Sequence, residues 1–349
     1  MSKILKIEVA VLIVLVLVAV FVRFGFEGQP PMGDSSLQTS QPTDPPTDPP
    51  TDPPTEPPTE PPTEPPTEPP TEPPTESDEV TLTFGDVTME AATYFVYNLT
   101  DDYWMALSSD ADKQVFPASI TKLFTAYVAM KYLDPDAVIT LGNEVYMVEP
   151  DSSLACLAPG QRLTVRQLLA CMLLPSGNDA AYVLAVEAGR ILGDEDASAS
   201  EAATYFVAEM NAQAKRLGMT GTNFANPDGI HEDNHYMTFH DLALLGMLSL
   251  EDPVLMDYAA TATDTVTISG EAKEWKNTNA LIHRDSQYYC PYAIGLKTGQ
   301  TPSAGSCLLS AFECGGTTLI IGVFGCPEVE DRFADTLQLF NGVYDSLHQ

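Results

Sequence analysis

Residues 43–74 are eight tandem copies of Thr-Asp/Glu-Pro-Pro, three with Asp and five with Glu, and no compact fold can absorb them. Paired prolines fix φ and remove amide donors, so neither helix nor sheet propagates through such a segment. The expected conformer is an extended polyproline II rod, stiffened by repulsion among its acids. At about 3.1 Å per residue it would reach roughly 100 Å. A repeat that carries an acid each time and no basic anchor suits a spacer better than a proline-rich ligand for a partner domain. Setting aside residues 27–79 as a disordered acidic linker leaves residues 80–349 as the folded domain, enough chain for one large core.

Ahead of the linker, residues 9–22 form an unbroken apolar run, extended by Ile4, Leu5, Ile7, Phe24 and Phe26. With Lys6 and Arg23 able to snorkel, about 20 residues can cross a hydrocarbon layer roughly 30 Å thick. Residues 1–26 are therefore expected to be a single-pass transmembrane signal-anchor in the cell membrane, with the folded domain extracytoplasmic. The alternative is secretion after signal-peptide cleavage, although no small-x-small cleavage site follows the run. The six cysteines include no Cys-x-x-Cys pair, and Cys171, Cys307 and Cys326 lie in apolar runs where a thiol behaves as a small hydrophobe.

The formal charge of −33 is shared unevenly: residues 27–79 hold 13 acids and no base, which leaves −22 on residues 80–349. So acidic a domain repels phosphate backbones, which argues against nucleic acid as a partner. Its few cations become the informative residues, because a buried cation in a negative field captures an anionic ligand group.

Hydrophobic patterning predicts a strand over residues 92–99 and helices over 119–133, 164–174, 179–192 and 204–217. Two β-rich runs, 306–312 and 317–324, are joined by Gly315-Gly316 as a hairpin. Strands at both ends of a helical middle indicate an α+β domain.

Three short elements within that domain can carry chemistry. In Ser119-Ile120-Thr121-Lys122, helical spacing puts the hydroxyl and the amine on one face. A desolvated lysine can then serve as the base that a serine nucleophile needs. Ser176-Gly177-Asn178 offers a hydroxyl and an amide from one tight turn before a helix. Lys297-Thr298-Gly299, followed by Gln300, supplies a charge, a hydroxyl and a glycine that lets backbone approach a ligand. Each string alone is common; their order within one domain is not.

Together these strings resemble the three active-site motifs of the penicillin-recognising serine enzymes. The surroundings resemble the low-molecular-weight penicillin-binding proteins of the peptidase S11 family, serine-type D-alanyl-D-alanine carboxypeptidases. Supporting strings are Pro117-Ala118-Ser119, Leu173-Leu174-Pro175-Ser176-Gly177-Asn178-Asp179-Ala180-Ala181, Asn226-Pro227-Asp228-Gly229 and Ala304-Gly305-Ser306. The resemblance implies a β-lactamase/transpeptidase-like domain, an antiparallel sheet flanked by helices plus a helical subdomain. It implies Ser119 as nucleophile and Lys122 as base, with Ser176 and Asn178 lining the cleft. Lys297 and Thr298 would bind the substrate carboxylate, with which Arg332 is also associated, Gly299 would let the substrate lie along the strand, and the amides of Ser119 and Gln300 would form the oxyanion hole. The implied partners are peptidoglycan stem peptides ending in D-Ala-D-Ala and β-lactam antibiotics; no cofactor and no metal are required. Gln300 departs from the histidine often found at that position.

Two rival readings share the pocket. A class A-like β-lactamase needs an extra glutamate to position water, and no Glu-x-x-x-Asn string lies between Ser176 and Lys297. The other is a non-catalytic penicillin-binding wall module that retains the pocket without turnover; the intact Ser119 and Lys122 speak against a dead site. His231-Glu232-Asp233-Asn234-His235 also fits the zinc-protease pattern. That chemistry requires a helix, whereas the string sits between a turn cluster and Thr238, a predicted N-cap, and is expected to be a loop.

Overall fold

The computed structural model describes residues 88–347; the expected anchor, the linker and residues 80–87 lie outside the described residues. Its strands are β1 (Thr93–Asn98), β2 (Tyr103–Leu107), β3 (Gln114–Val115), β4 (Val138–Thr140), β5 (Arg162–Thr164), β6 (Met237–Thr238), β7 (Thr263–Ile268), β8 (Glu271–Lys276), β9 (Ala293–Thr301), β10 (Gly305–Cys314) and β11 (Thr317–Cys326). Its helices are α1 (Thr121–Ala129), α2 (Val165–Leu173), α3 (Asn178–Leu192), α4 (Ala199–Arg216), α5 (Phe239–Glu251), α6 (Pro253–Ala259) and α7 (Asp331–Leu347). A five-stranded sheet runs β2-β1-β11-β10-β9, antiparallel at each pairing, so strands from both chain ends share one sheet around a helical middle. This is the expected α+β arrangement.

Strand alternation explains how one sheet serves two cores. Phe95, Tyr97, Leu309, Ile320 and Phe324 face the helical lobe and join its core. Their neighbours Val96, Leu308, Ile321 and Val323 face the other way, toward Phe333, Leu339, Phe340 and Val343 of α7. The β10–β11 hairpin turns at Gly315 and Gly316, both at positive φ, as a two-residue turn of this hand requires.

Helix starts follow side-chain caps. Thr164 with Gln167 and Ser198 with Glu201 form capping boxes, while Thr238 accepts from the Asp241 amide at 3.2 Å. The Ser198 box explains why α4 begins at Ala199, five residues before the apolar pattern predicts. The predicted 119–133 helix opens instead as a 3-10 turn, Ala118–Ile120, and stops at Ala129. All six cysteines are free thiols, five of them buried. No helix among the described residues is long and apolar enough to cross a membrane.

Helices α3 and α4 touch where Gly189 meets Ala202: a Cβ on Gly189 would lie 1.9 Å from the Ala202 carbonyl oxygen. Gly189→Ala should therefore force the two helices apart and destabilise the domain by about 1–3 kcal/mol, the usual range for overpacking. A drop of several degrees in the thermal midpoint checks this; an unchanged midpoint contradicts the close approach.

Candidate active site

Ser119 sits in the 3-10 turn that feeds α1, after Ala118 held at φ +49°. The tight turn brings the Lys122 amine to the Ser119 hydroxyl at 2.8 Å. Lys122 is fully buried, and its second acceptor is the Asp228 carbonyl at 2.6 Å. Burial pushes the amine down to about 8, against the carboxylates of Asp228 and Asp179, which pull it back up. A base poised there holds a free lone pair in a useful fraction of molecules near neutral pH.

The Asp228 carbonyl is placed by a clasp across α1. Thr125 donates to the Pro227 carbonyl at 2.6 Å, and Thr121 Oγ1 meets His235 Nε2 at 2.9 Å. Gly229 stands at φ +84°, and a Cβ there would lie 1.9 Å from the Ala118 carbonyl oxygen. Only glycine satisfies both the dihedral and the space.

His235 belongs to this clasp. The His-Glu-x-x-His string is a loop, as expected. His235 Nδ1 accepts from the Ala225 amide at 3.3 Å, which assigns the proton to Nε2 and makes Thr121 its acceptor. Burial lowers its pKa to about 4, so it stays neutral. His231 instead sets its ring edge-on against Phe116. Among the described residues no group of three or more His, Cys, Asp and Glu side chains is placed to hold a metal ion.

Ser176 turns the chain between α2 and α3 at φ +64°. The Asn178 amide donates to the Ser153 carbonyl at 2.8 Å. Its side-chain Oδ1 is buried and has no partner among the described residues, an acceptor waiting for a donor.

Strand β9 is the sheet edge, and it brings in the third motif. Gly299 abuts the nucleophile turn: a Cβ would fall 2.6 Å from the Pro117 oxygen and 3.2 Å from the Ser119 nitrogen. Thr298 Oγ1 lies 2.5 Å from Thr278 Oγ1. Arg332, on α7, donates through Nη1 to the Gly299 carbonyl at 3.1 Å, and its buried Nε has no partner among the described residues. Among the described residues the Lys297 amine donates only to the Thr298 carbonyl, at 3.1 Å. Its pKa is driven well down by burial, then by Lys122 and Arg332. Among the described residues no carboxylate lies within salt-bridge distance of Lys122, Lys297 or Arg332. Wherever one of these three groups keeps its proton it has no protein counter-ion among the described residues, an arrangement that favours a bound anion.

Contacts among the nucleophile turn, β9 and the start of α7 bring Ser119, Lys122, Lys297, Gly299 and Arg332 together, and Ser176 and Asn178 lie on the α2–α3 turn; Gln300 alone of the β9 set is exposed. Sequence reasoning missed Thr278, which carried no signal, and the carbonyl of Asp228, whose family string marked the place without its use.

A family model described as D-alanyl-D-alanine carboxypeptidase matches residues 86–328. A D-alanyl-D-alanine carboxypeptidase of Streptomyces sp. (strain K15) is 35% identical over 244 residues, 66% of this chain and 79% of that protein. DacF of Bacillus subtilis (strain 168) is 31% identical, over 67% of this chain and 57% of that protein. DacA of Escherichia coli (strain K12) is 30% identical, over 74% of this chain and 62% of its own length. The chain thus spans less than two thirds of the latter two. A crystal structure of the Streptomyces K15 DD-transpeptidase superposes with a TM-score of 0.67 at 29% identity, covering 75% of this chain and 99% of that one. Fold, motif geometry and sequence agree: the chain belongs to the peptidase S11 family of D-alanyl-D-alanine carboxypeptidases.

Proposed function

We propose that this protein is a serine-type D-alanyl-D-alanine carboxypeptidase that removes the terminal D-Ala from peptidoglycan stem pentapeptides and is acylated by penicillin. The observation that carries the reading is the 2.8 Å contact of Lys122 with Ser119, beside the unpaired cations Lys297 and Arg332. A reactive hydroxyl next to a carboxylate receptor suits cleavage of a peptide's last bond.

In the reaction, the terminal carboxylate binds to Lys297 and Thr298, with Arg332 holding the β9 backbone behind them. Lys122 Nζ takes the proton as Ser119 Oγ attacks the carbonyl carbon between the two D-Ala residues. Amides of Ser119 and Gln300 receive the oxyanion. The C–N bond breaks, the departing amine receives the proton by way of Lys122 or the Ser176 hydroxyl, and D-Ala leaves. Water then hydrolyses the ester, its proton returning to Ser119. A β-lactam presents a carboxylate and a strained amide to the same groups. Residues 1–26 and 27–79 complete the reading as a cell-membrane anchor and a spacer that hold the domain on the extracytoplasmic side.

Penicillin should add one covalent equivalent to the wild type and none to Ser119→Ala in intact-protein mass spectra. An adduct lasting many minutes favours the carboxypeptidase, and turnover within seconds favours a β-lactamase. Labelling of Ser119→Ala would refute the assignment of the nucleophile.

At penicillin concentrations well below saturation, the second-order acylation rate constant should rise with pH and inflect near 8, the free-enzyme value, because only the unprotonated Lys122 amine accepts the serine proton. A stopped-flow profile flat from pH 6 to 9 contradicts a lysine base.

Lys297→Ala should raise KM for a D-Ala-D-Ala peptide on the order of tenfold or more, as loss of a buried charge-assisted bond implies, while a substrate amidated at its C-terminus should lose little further. Equal losses on both substrates would remove Lys297 from the carboxylate site.

A further inference from the structure

Residues 153–157 run beside the Ser176-Gly177-Asn178 turn without belonging to any helix or strand. They are fastened all the same. The Asn178 amide donates to the Ser153 carbonyl at 2.8 Å. From the strap, the Ala155 amide donates to Asp179 Oδ1 and the Leu157 amide to Asp179 Oδ2, each at 2.9 Å. Asp179 Oδ1 also accepts from the Ala180 amide at 3.0 Å. The carboxylate lies in the first turn of α3, where the helix dipole favours negative charge, and no cation is within salt-bridge distance of it among the described residues. Gly177 seals the junction: a Cβ there would sit 2.8 Å from Asp179 Oδ1 and 3.0 Å from Ala155 Cβ.

We propose that Asp179 is a positioning residue for the reaction, clamping residues 153–157 to the Ser176-Gly177-Asn178 turn and so holding the Ser176 hydroxyl and the Asn178 amide at the cleft. The inference rests on the carboxypeptidase reading above. It follows from the count of acceptors: both carboxylate oxygens are committed to backbone amides from two segments. A carboxamide at 179 keeps one acceptor oxygen and turns an NH2 against an amide donor. A second effect accompanies the first. The Asp179 charge is one of two that hold the Lys122 amine up against burial, so position and charge can be separated by substitution.

Asp179→Asn should lower the saturating penicillin acylation rate about tenfold or more, the scale of a mispositioned catalytic group, and move its pH inflection below that of wild type. Asp179→Glu keeps the charge but not the geometry, so its rate should fall while the inflection stays near the wild-type value. A purely structural residue would lower the rate in both and move the inflection in neither. In the wild-type full-length protein, hydrogen exchange at the Ala155 and Leu157 amides should be slower than at Leu154 and Cys156 by on the order of a hundredfold. The exchange measurement decides if either variant fails to fold. The proposal is overturned if those four amides exchange alike, or if Asp179→Asn keeps the wild-type rate and inflection. If the wild type neither releases D-Ala nor forms an adduct at Ser119, the carboxypeptidase reading fails instead, while exchange still reports on the clamp.

Discussion

A lysine amine taken wholly out of water, as Lys122 is, must find acceptors or surrender its proton, and this site is built around that choice. Two oxygens, Ser119 Oγ and the Asp228 carbonyl, receive the amine, and burial moves its pKa to about 8. The unfolded chain keeps that proton up to about 10.4. Below pH 8 both states are protonated and the native state carries the full penalty, about 3 kcal/mol by linkage. As pH rises through the window the native amine is neutral first, so stability increases until the penalty has gone. The same desolvation that weakens the fold at neutral pH makes the amine a competent base.

Holding the amine in place requires rigidity from outside α1. The loop bearing Pro227, Asp228 and His235 supplies it, touching Thr125, Lys122 and Thr121 on the same helix. Backbone carbonyls suit this task because they neither titrate nor rotate away. Two glycines set the spacing, Gly229 under the Ala118 carbonyl and Gly299 against Pro117 and Ser119. The nucleophile turn is thereby gripped between a loop of the helical lobe and the edge of the sheet, which ties the geometry of both lobes to one hydroxyl.

What could be read from the residues follows from where the information resides. The hairpin at Gly315-Gly316, the cap at Thr238 and the strand over 92–99 are local, and local patterns predicted them. The loop character of the His-Glu-x-x-His string was equally legible, since a turn cluster precedes it. The role of His235 was not, because its partner Thr121 lies 114 positions away. Thr278 and Asp179 act through spatial neighbours far away in sequence, and no periodicity announces them. Arg332 was matched to its family position, yet its bond to the Gly299 carbonyl depends on how α7 packs across β10 and β11 so that its first turn reaches β9. The Ser198 capping box, plain in hindsight as Ser-x-x-Glu, was hidden by the alanines that dilute the apolar stripe at the start of α4.

The uneven charge of the chain acquires a physical sense at β9. Residues 80–349 carry −22, yet among the described residues no acid pairs with Lys122, Lys297 or Arg332. Burial first, and then repulsion by Lys122 and Arg332, pushes the Lys297 amine down, and an arriving carboxylate would push it back up by the same coupling. In the proposed reaction, carboxylate affinity is greatest where Lys297 keeps its proton, whereas Lys122 is a base only after losing its own. Two lysines that feel each other's charge thus make opposite demands on pH, which in the proposed reaction a bound anion would reconcile by stabilising the proton on Lys297 while the Ser119 hydroxyl offers its own to Lys122.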